Sequence, residues 1–182
     1  MQKLILVLIG LAITIPTHSQ ETRTEVTKAT TPADDSKPNS KSVPDVYAVD
    51  SQFKRVVVLR FKYQADLLAG LEEIVKKENI RNAVILSGIG SVRGYHLHAV
   101  SNREFPSKDV FIKNPTQSAD LVSMNGYVIE GRVHAHVTLA TPDKAFGGHL
   151  EPGTEVFTFV AVTVGVLDNK ADLKQLDDKT YR

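Results

Sequence analysis

The chain contains no cysteine, which excludes disulfide stapling and anchorage through a lipidated cysteine. An oxidising compartment would leave it chemically untouched. It also has little net charge: 22 Lys and Arg stand against 21 Asp and Glu, a formal +1. So even a balance offers nucleic acid or an anionic membrane only a weak electrostatic handle. No internal repeat is present, and the apolar run at the start, Leu4 to Ile15, is shorter than the roughly 20 residues a stable membrane span needs. That run follows Lys3 and ends at Pro16, and Thr17-His18-Ser19 places small residues at the first and last positions of a cleavage site. Residues 1–19 are therefore expected to be a signal peptide, with a mature, periplasmic or secreted chain beginning at Gln20.

Residues 20–44 are Thr, Ser, Pro, Lys, Asp and Glu with almost no large apolar side chain. Such a segment buries too little surface to offset its ordering entropy, and it reads as a disordered linker. Its charges cancel, with Arg23, Lys28, Lys37 and Lys41 against Glu21, Glu25, Asp34 and Asp35. Residues 45–182 have the length of one ordinary domain.

Within that domain Arg55 to Phe61 is β-branched and apolar, the pattern of a largely buried strand. Leu67, Leu68, Leu71, Ile74 and Val75 then recur at helical spacing, with Asp66 at the start and Lys76 and Lys77 at the end, where they complement the helix dipole. Ala83 to Leu86 reads as a strand, Ser87-Gly88-Ile89-Gly90-Ser91 as a glycine-rich turn, and Val92 to Val100 as a further strand. The glycines do not make a phosphate loop, because no Lys-Ser/Thr ending and no helix follow them. Ser101 to Lys108 is a loop and Val110 to Ile112 a short strand. Leu121 to Ile129 and Arg132 to Ala140 form a hairpin turning at Glu130-Gly131, and Thr141-Pro142-Asp143 is a turn. Val156 to Leu167 is apolar on both faces, which marks a central strand or one covered by a partner subunit. The charged tail after Asp168 is expected on the surface.

Chemistry concentrates between Gly131 and Gly153, which hold three of the six histidines. His134 and His136 are two apart among Val133, Ala135, Val137 and Leu139, so on a strand both rings point to one face. His149 follows Gly147-Gly148, a pair able to bend the backbone or take positive φ and carry the third ring over the first two. Three neutral imidazoles are a common ligand set for zinc, leaving one coordination position for water. The plainer alternative is three solvated histidines on a polar strand face. A second pair, His96 and His98, has the same spacing and is read as facing solvent, a neighbouring subunit or the first cluster.

The order strand, helix, Leu-Ser-Gly-Ile-Gly, hairpin, His-x-His strand, Gly-Gly-His-Leu and long apolar strand resembles the PPC domain (plant and prokaryote conserved domain). The likeness runs over most of Val56 to Thr180, and Gly131-Arg132-Val133-His134-Ala135-His136 with Gly147-Gly148-His149-Leu150 is its most specific part. Asp178-Lys179-Thr180 resembles the family's closing pattern. The resemblance implies an α+β fold, a mostly antiparallel β-sheet with one main helix, and a homotrimer. Plant members pair the domain with AT-hooks and take part in DNA binding; this chain has no Arg-Gly-Arg-Pro hook, so nucleic acid is not the expected partner. The fold is also similar to that of acetolactate decarboxylase and a zinc-dependent ester hydrolase, each holding zinc through a His-x-His pair and a later His. Carried over, this implies zinc ligation by His134, His136 and His149. A general acid or base would then come from Glu151, Glu130 or Arg132, acting on a small-molecule ligand. Three readings follow: an exported zinc-binding trimer, a metal-dependent hydrolase or lyase for a small carbonyl or ester compound, and a DNA-binding or protein-interaction module. A cupin is disfavoured, because the helix comes early and no Glu follows the His pair at the short cupin spacing.

Overall fold

The computed structural model describes residues 23–29, 38 and 40–177. The expected signal peptide and the Asp178-Lys179-Thr180 closing pattern lie outside them. Eight strands and one α-helix follow in order: β1 (Thr24–Ala29), β2 (Phe53–Phe61), α1 (Leu67–Lys77), β3 (Ala83–Val100), β4 (Lys108–Asn114), β5 (Ala119–Ile129), β6 (Arg132–Ala140), β7 (Ala145–Leu150) and β8 (Glu155–Leu167). All pairings are antiparallel, so the expected mostly antiparallel sheet with one main helix is what forms. Among the described residues no helix is long and apolar enough to cross a membrane.

The helix forms where its apolar spacing placed it. Leu67, Leu68, Leu71 and Val75 are buried against the sheet, and the Asp66 carboxylate caps the first turn by accepting from the Ala69 amide at 2.9 Å. Its second oxygen accepts from the Gly153 amide at 2.6 Å, which ties the helix start to the β7–β8 connection. The β5–β6 hairpin turns at Glu130 (φ 50°) and Gly131 (φ 79°), two positive φ values as a two-residue type I′ connection requires.

The glycine-rich turn expected at residues 87–91 is not a turn. β3 runs unbroken for 18 residues through it, with Ser87 opposite Thr163, Ile89 opposite Ala161 and Gly90 opposite Val160 on β8. Ladder hydrogen bonds keep the segment extended, and the glycines serve close packing: a Cβ on Gly88 would lie 2.5 Å from the Met124 Cβ. Register shifts at Ile85/Ser87, Gly90/Val92 and Val92/Gly94 bend the strand. One end of β3 can therefore pair with β5 and β8 while the other pairs with β4 and β7. Because β7 pairs with both β6 and β3, strands β3, β5, β6 and β7 close a ring. Leu97, Leu121, Met124, Ala135, Val137, Leu139 and Leu150 fill its interior side, part of a single core with α1 and β8.

Three further expectations are corrected. β2 is not largely buried: Val56 and Val58 are exposed, and of Arg55 to Phe61 only Phe61 is buried. Residues 24–29 of the expected linker form β1, paired along β4 with Val26 opposite Phe111. Their side chains are exposed from Thr24 to Lys28, so backbone bonding to an open strand edge holds them, and burial patterns carry no trace of that. The tail is not wholly on the surface: Ala171 and Leu173 are buried with Ile129 and Leu167 in a second cluster. The Asn82 side-chain amide donates to the Ala171 carbonyl at 2.8 Å and secures it.

Candidate metal centre

Strand β6 alternates as its sequence requires. Ala135, Val137 and Leu139 are buried, while His134 and His136 lie on the opposite face. Register carries the other rings to them. His136 is directly opposite His149 on β7, and His149 is directly opposite His98 on β3. One cross-strand row thus reads Asn125, His136, His149, His98, Phe111 over five strands.

The predicted trio comes together: one nitrogen from each of His134, His136 and His149 lies within 4.8 Å of the others, the one such cluster among the described residues. The His134 and His136 rings stack at 5.4 Å and 22°, and His149 meets both edge-on, at 4.7 and 5.2 Å. Tetrahedral zinc at about 2.0–2.1 Å from each nitrogen needs separations of about 3.3 Å, closer than the 4.8 Å within which these nitrogens lie. The donor set, three imidazoles with no thiolate, fits zinc and related divalent ions. Shielding of the His136 ring from water, and then the neighbouring His134 and His98, hold its pKa below the usual histidine value. It therefore presents a neutral, ligating ring at neutral pH.

The diglycine acts differently from expectation. Gly147 and Gly148 lie inside β7 and keep ordinary strand conformation. They are needed because β7 is squeezed between two strands: an added Cβ would sit 2.3 Å from the Val137 carbonyl oxygen at Gly147 and 2.3 Å from that of His98 at Gly148. Neither obstacle is a flexible side chain. Gly148→Ala should destabilise the protein by on the order of 1–3 kcal/mol and lower metal affinity, because pushing β7 off β3 moves His149. Thermal unfolding and metal titration check this; unchanged values for both would mean that β7 does not seat there.

His98 is the residue that sequence reasoning left undecided. Its ring stacks on His149 at 4.6 Å and 28°, and on Phe111 at 4.9 Å. Its Nδ1 is 2.6 Å from Glu151 Oε1 and its Nε2 3.5 Å from the buried Asp109 Oδ2. With both nitrogens facing carboxylates, His98 buttresses the centre and is not a fourth ligand. His96, by contrast, lies 2.9 Å through Nδ1 from the Pro152 carbonyl and donates its backbone amide to Thr154. Parity in β3 already put His96 and His98 on one face, but only the long-range register separates their roles.

The three proposed acid–base groups are placed as follows. Glu151 reaches the cluster through His98. Glu130 sits in the hairpin turn, its carboxylate accepting from Arg81 Nε at 2.8 Å, and this contact raises the arginine pKa. Arg132 is exposed at the start of β6, two residues before His134 on the same face.

The family model of the Plants and Prokaryotes Conserved (PCC) domain matches residues 49–168. Among solved structures, a plant- and prokaryote-conserved (PPC) protein of Pyrococcus horikoshii is 26% identical, with TM-score 0.57 over 69% of this chain and 87% of that one. The metal-containing protein AF0104 of Archaeoglobus fulgidus is 23% identical, with TM-score 0.56 over 69% and 89%. A "putative DNA-binding protein" of Ralstonia eutropha JMP134 is 22% identical, with TM-score 0.51 over 63% and 80%. Among curated proteins none matches the chain.

Proposed function

The chain belongs to the Plants and Prokaryotes Conserved (PCC) domain family, and on that footing we propose that it is a zinc-binding protein, exported and assembled as a homotrimer. The observation that carries the reading is the convergence of His134, His136 and His149 nitrogens within 4.8 Å from two neighbouring strands. Support comes also from the metal-containing Archaeoglobus relative of the same fold. Export rests on the charge, apolar run and cleavage pattern of residues 1–19.

Three protein ligands leave a position open, so a catalytic use is the second reading: a metal-dependent hydrolase or lyase for a small carbonyl or ester compound. It draws on the likeness to acetolactate decarboxylase and the zinc-dependent ester hydrolase, and on a cavity flanked by His134 and His136. Bound zinc would polarise a carbonyl oxygen or lower the pKa of its water to about 7. Glu151 is the carboxylate we assign to proton exchange, linked to the centre through His98, which keeps the His149 ring oriented. Glu130 is committed to Arg81.

The DNA-binding descriptions of the Ralstonia and Bacteroides thetaiotaomicron proteins keep a nucleic-acid reading open. A net charge of +1 opposes it here, since phosphate neutralisation supplies most non-specific affinity. Metal analysis of protein purified from cells, with mass spectrometry of its N-terminus, tests the proposal. The expected result is one zinc per chain and a start at Gln20. Metal-free protein that retains DNA at physiological salt, or a soluble chain still carrying Met1 to Ser19, would transfer the weight to the nucleic-acid reading.

A further inference from the structure

Beside the centre lies a cavity of about 560 Å³ flanked by His134, His136, Asn125, Tyr127, Val84 and Leu176. Its volume lies in the usual range for small-molecule sites, about 300–1,000 Å³. Register builds it: Val84 is opposite Tyr127, and Tyr127 is opposite His134, so one row crosses from an aliphatic wall through a phenol to the metal ligands. Asn125 stands opposite His136 in a neighbouring row. Leu176, from the 3₁₀ turn at Lys174–Asp177, stands at the aliphatic end.

The polarity of this row is graded. Its apolar end leaves Leu176 45% exposed, and Tyr127 in the middle is 42% exposed, an arrangement that costs free energy until something apolar covers it. At the other end stand the imidazoles, with an amide and a phenol beside them as hydrogen-bond donors. No Asp or Glu is among the described residues lining the cavity. A cationic head group would therefore find no carboxylate partner, whereas a carbonyl or carboxylate oxygen would find the metal and two donors.

We propose that this cavity binds a small acyl compound, its oxygen head at the histidine centre and its aliphatic tail along Val84 and Leu176. The inference rests on the zinc reading above. Two interstrand spacings of about 4.8 Å separate His134 from Val84, so the row accommodates a tail of about 10 Å. Tyr127 is placed to donate to the head group and is a specificity-determining residue.

The test is calorimetric titration of the zinc-loaded, full mature protein with straight-chain hydroxamates from acetohydroxamate to octanohydroxamate, with zinc retention measured after each titration. Affinity should rise about twofold to fourfold per methylene and level off once the row is filled. In Leu176→Glu the chain-length dependence should vanish while zinc content stays constant. Tyr127→Phe should weaken every member about threefold to tenfold, again with zinc retained. Zinc bound, but hydroxamate affinity absent or independent of chain length, would overturn the acyl pocket and leave the metal reading standing. A protein that takes up no zinc would end both.

Discussion

Replacing His134, His136 or His149 by alanine is expected to lower zinc affinity by more than 100-fold each, while the protein stays folded. The loss is large because a three-imidazole site reduced to two ligands forfeits one of its metal–nitrogen bonds, and disturbing even an outer-shell partner costs about 10- to 100-fold. The fold should survive because its core is apolar: Leu67, Tyr95, Leu97, Leu121, Leu139, Val156 and Val160 are fully enclosed without help from an ion. His96→Ala should leave zinc content unchanged, since that ring is occupied with Pro152. His98→Ala should fall between, because it unstacks His149 and frees Glu151 without removing a ligand. Acid should mimic the ligand deletions, with affinity falling as pH drops below about 6.5, where unperturbed histidines protonate. His136, its pKa held low by burial and its neighbours, should stay neutral below that value. The sign for the metal-free protein follows. Between its depressed folded pKa and about 6.5 the unfolded state binds more protons at His136, so stability is full above that window and declines as pH falls through it. Equal zinc in wild type and all ligand variants, or none in any of them at neutral pH, would remove the metal centre and the catalytic reading with it.

How much of this was legible before the structure depends on the range of the information. Local signals were reliable: the 3.6-residue spacing of Leu67, Leu71 and Val75, the Glu130-Gly131 turn, and the parity that puts His134 and His136 on one face all depend on neighbours a few residues away. What failed depended on partners far along the chain. Ser87 to Ser91 carries every mark of a turn, and stays extended because β8 pairs with it from Ser87 to Gly90 and β5 takes up Gly90 and Ser91. Gly147-Gly148 carries the marks of a bend, yet its glycines exist because the Val137 and His98 carbonyls pass within Cβ distance. His98 could not be assigned to the centre, because its place beside His149 follows from a β3–β7 register that only ring closure sets. β1 was invisible for a related reason, since an edge strand held through its backbone leaves no burial pattern in its side chains.

A change on the opposite end of the same sheet surface should abolish self-association without touching the metal. On β2, Val56 and Val58 are 55% and 71% exposed, and Ile89 on β3 and Phe159 on β8 add to the same apolar face at 57% and 42%. Their rows are continuous, with Val58 opposite Thr163 and Thr163 opposite Ser87, and Arg60 opposite Ala161 and Ala161 opposite Ile89. Four exposed apolar side chains grouped on one sheet face, interspersed with Arg60, Thr163 and Ser87, are a candidate for a surface that another protein covers, and closed symmetry allows copies of the same chain to do so. The proposed trimer would use it. Val58→Asp combined with Phe159→Asp places two carboxylates per chain into that contact, the one at position 58 without the Arg60 guanidinium that lies over Phe159, and a desolvated unpaired carboxylate costs several kcal/mol. Light scattering at micromolar concentration should then give three times the chain mass for wild type and a single chain for the variant. Zinc content should be equal in the two, because His134, His136 and His149 come from one chain. A wild type that runs as a monomer, or a variant that still assembles, would refute this use of the face. The outcome also bears on the acyl cavity, because Val56, Gly165, Val84, Tyr127 and His134 occupy one unbroken row. Val84 is shared by the apolar face and the cavity wall, so assembly would bring a second chain up to the aliphatic end of the pocket. The monomeric variant should then keep the hydroxamate head-group affinity and lose part of the gain per methylene.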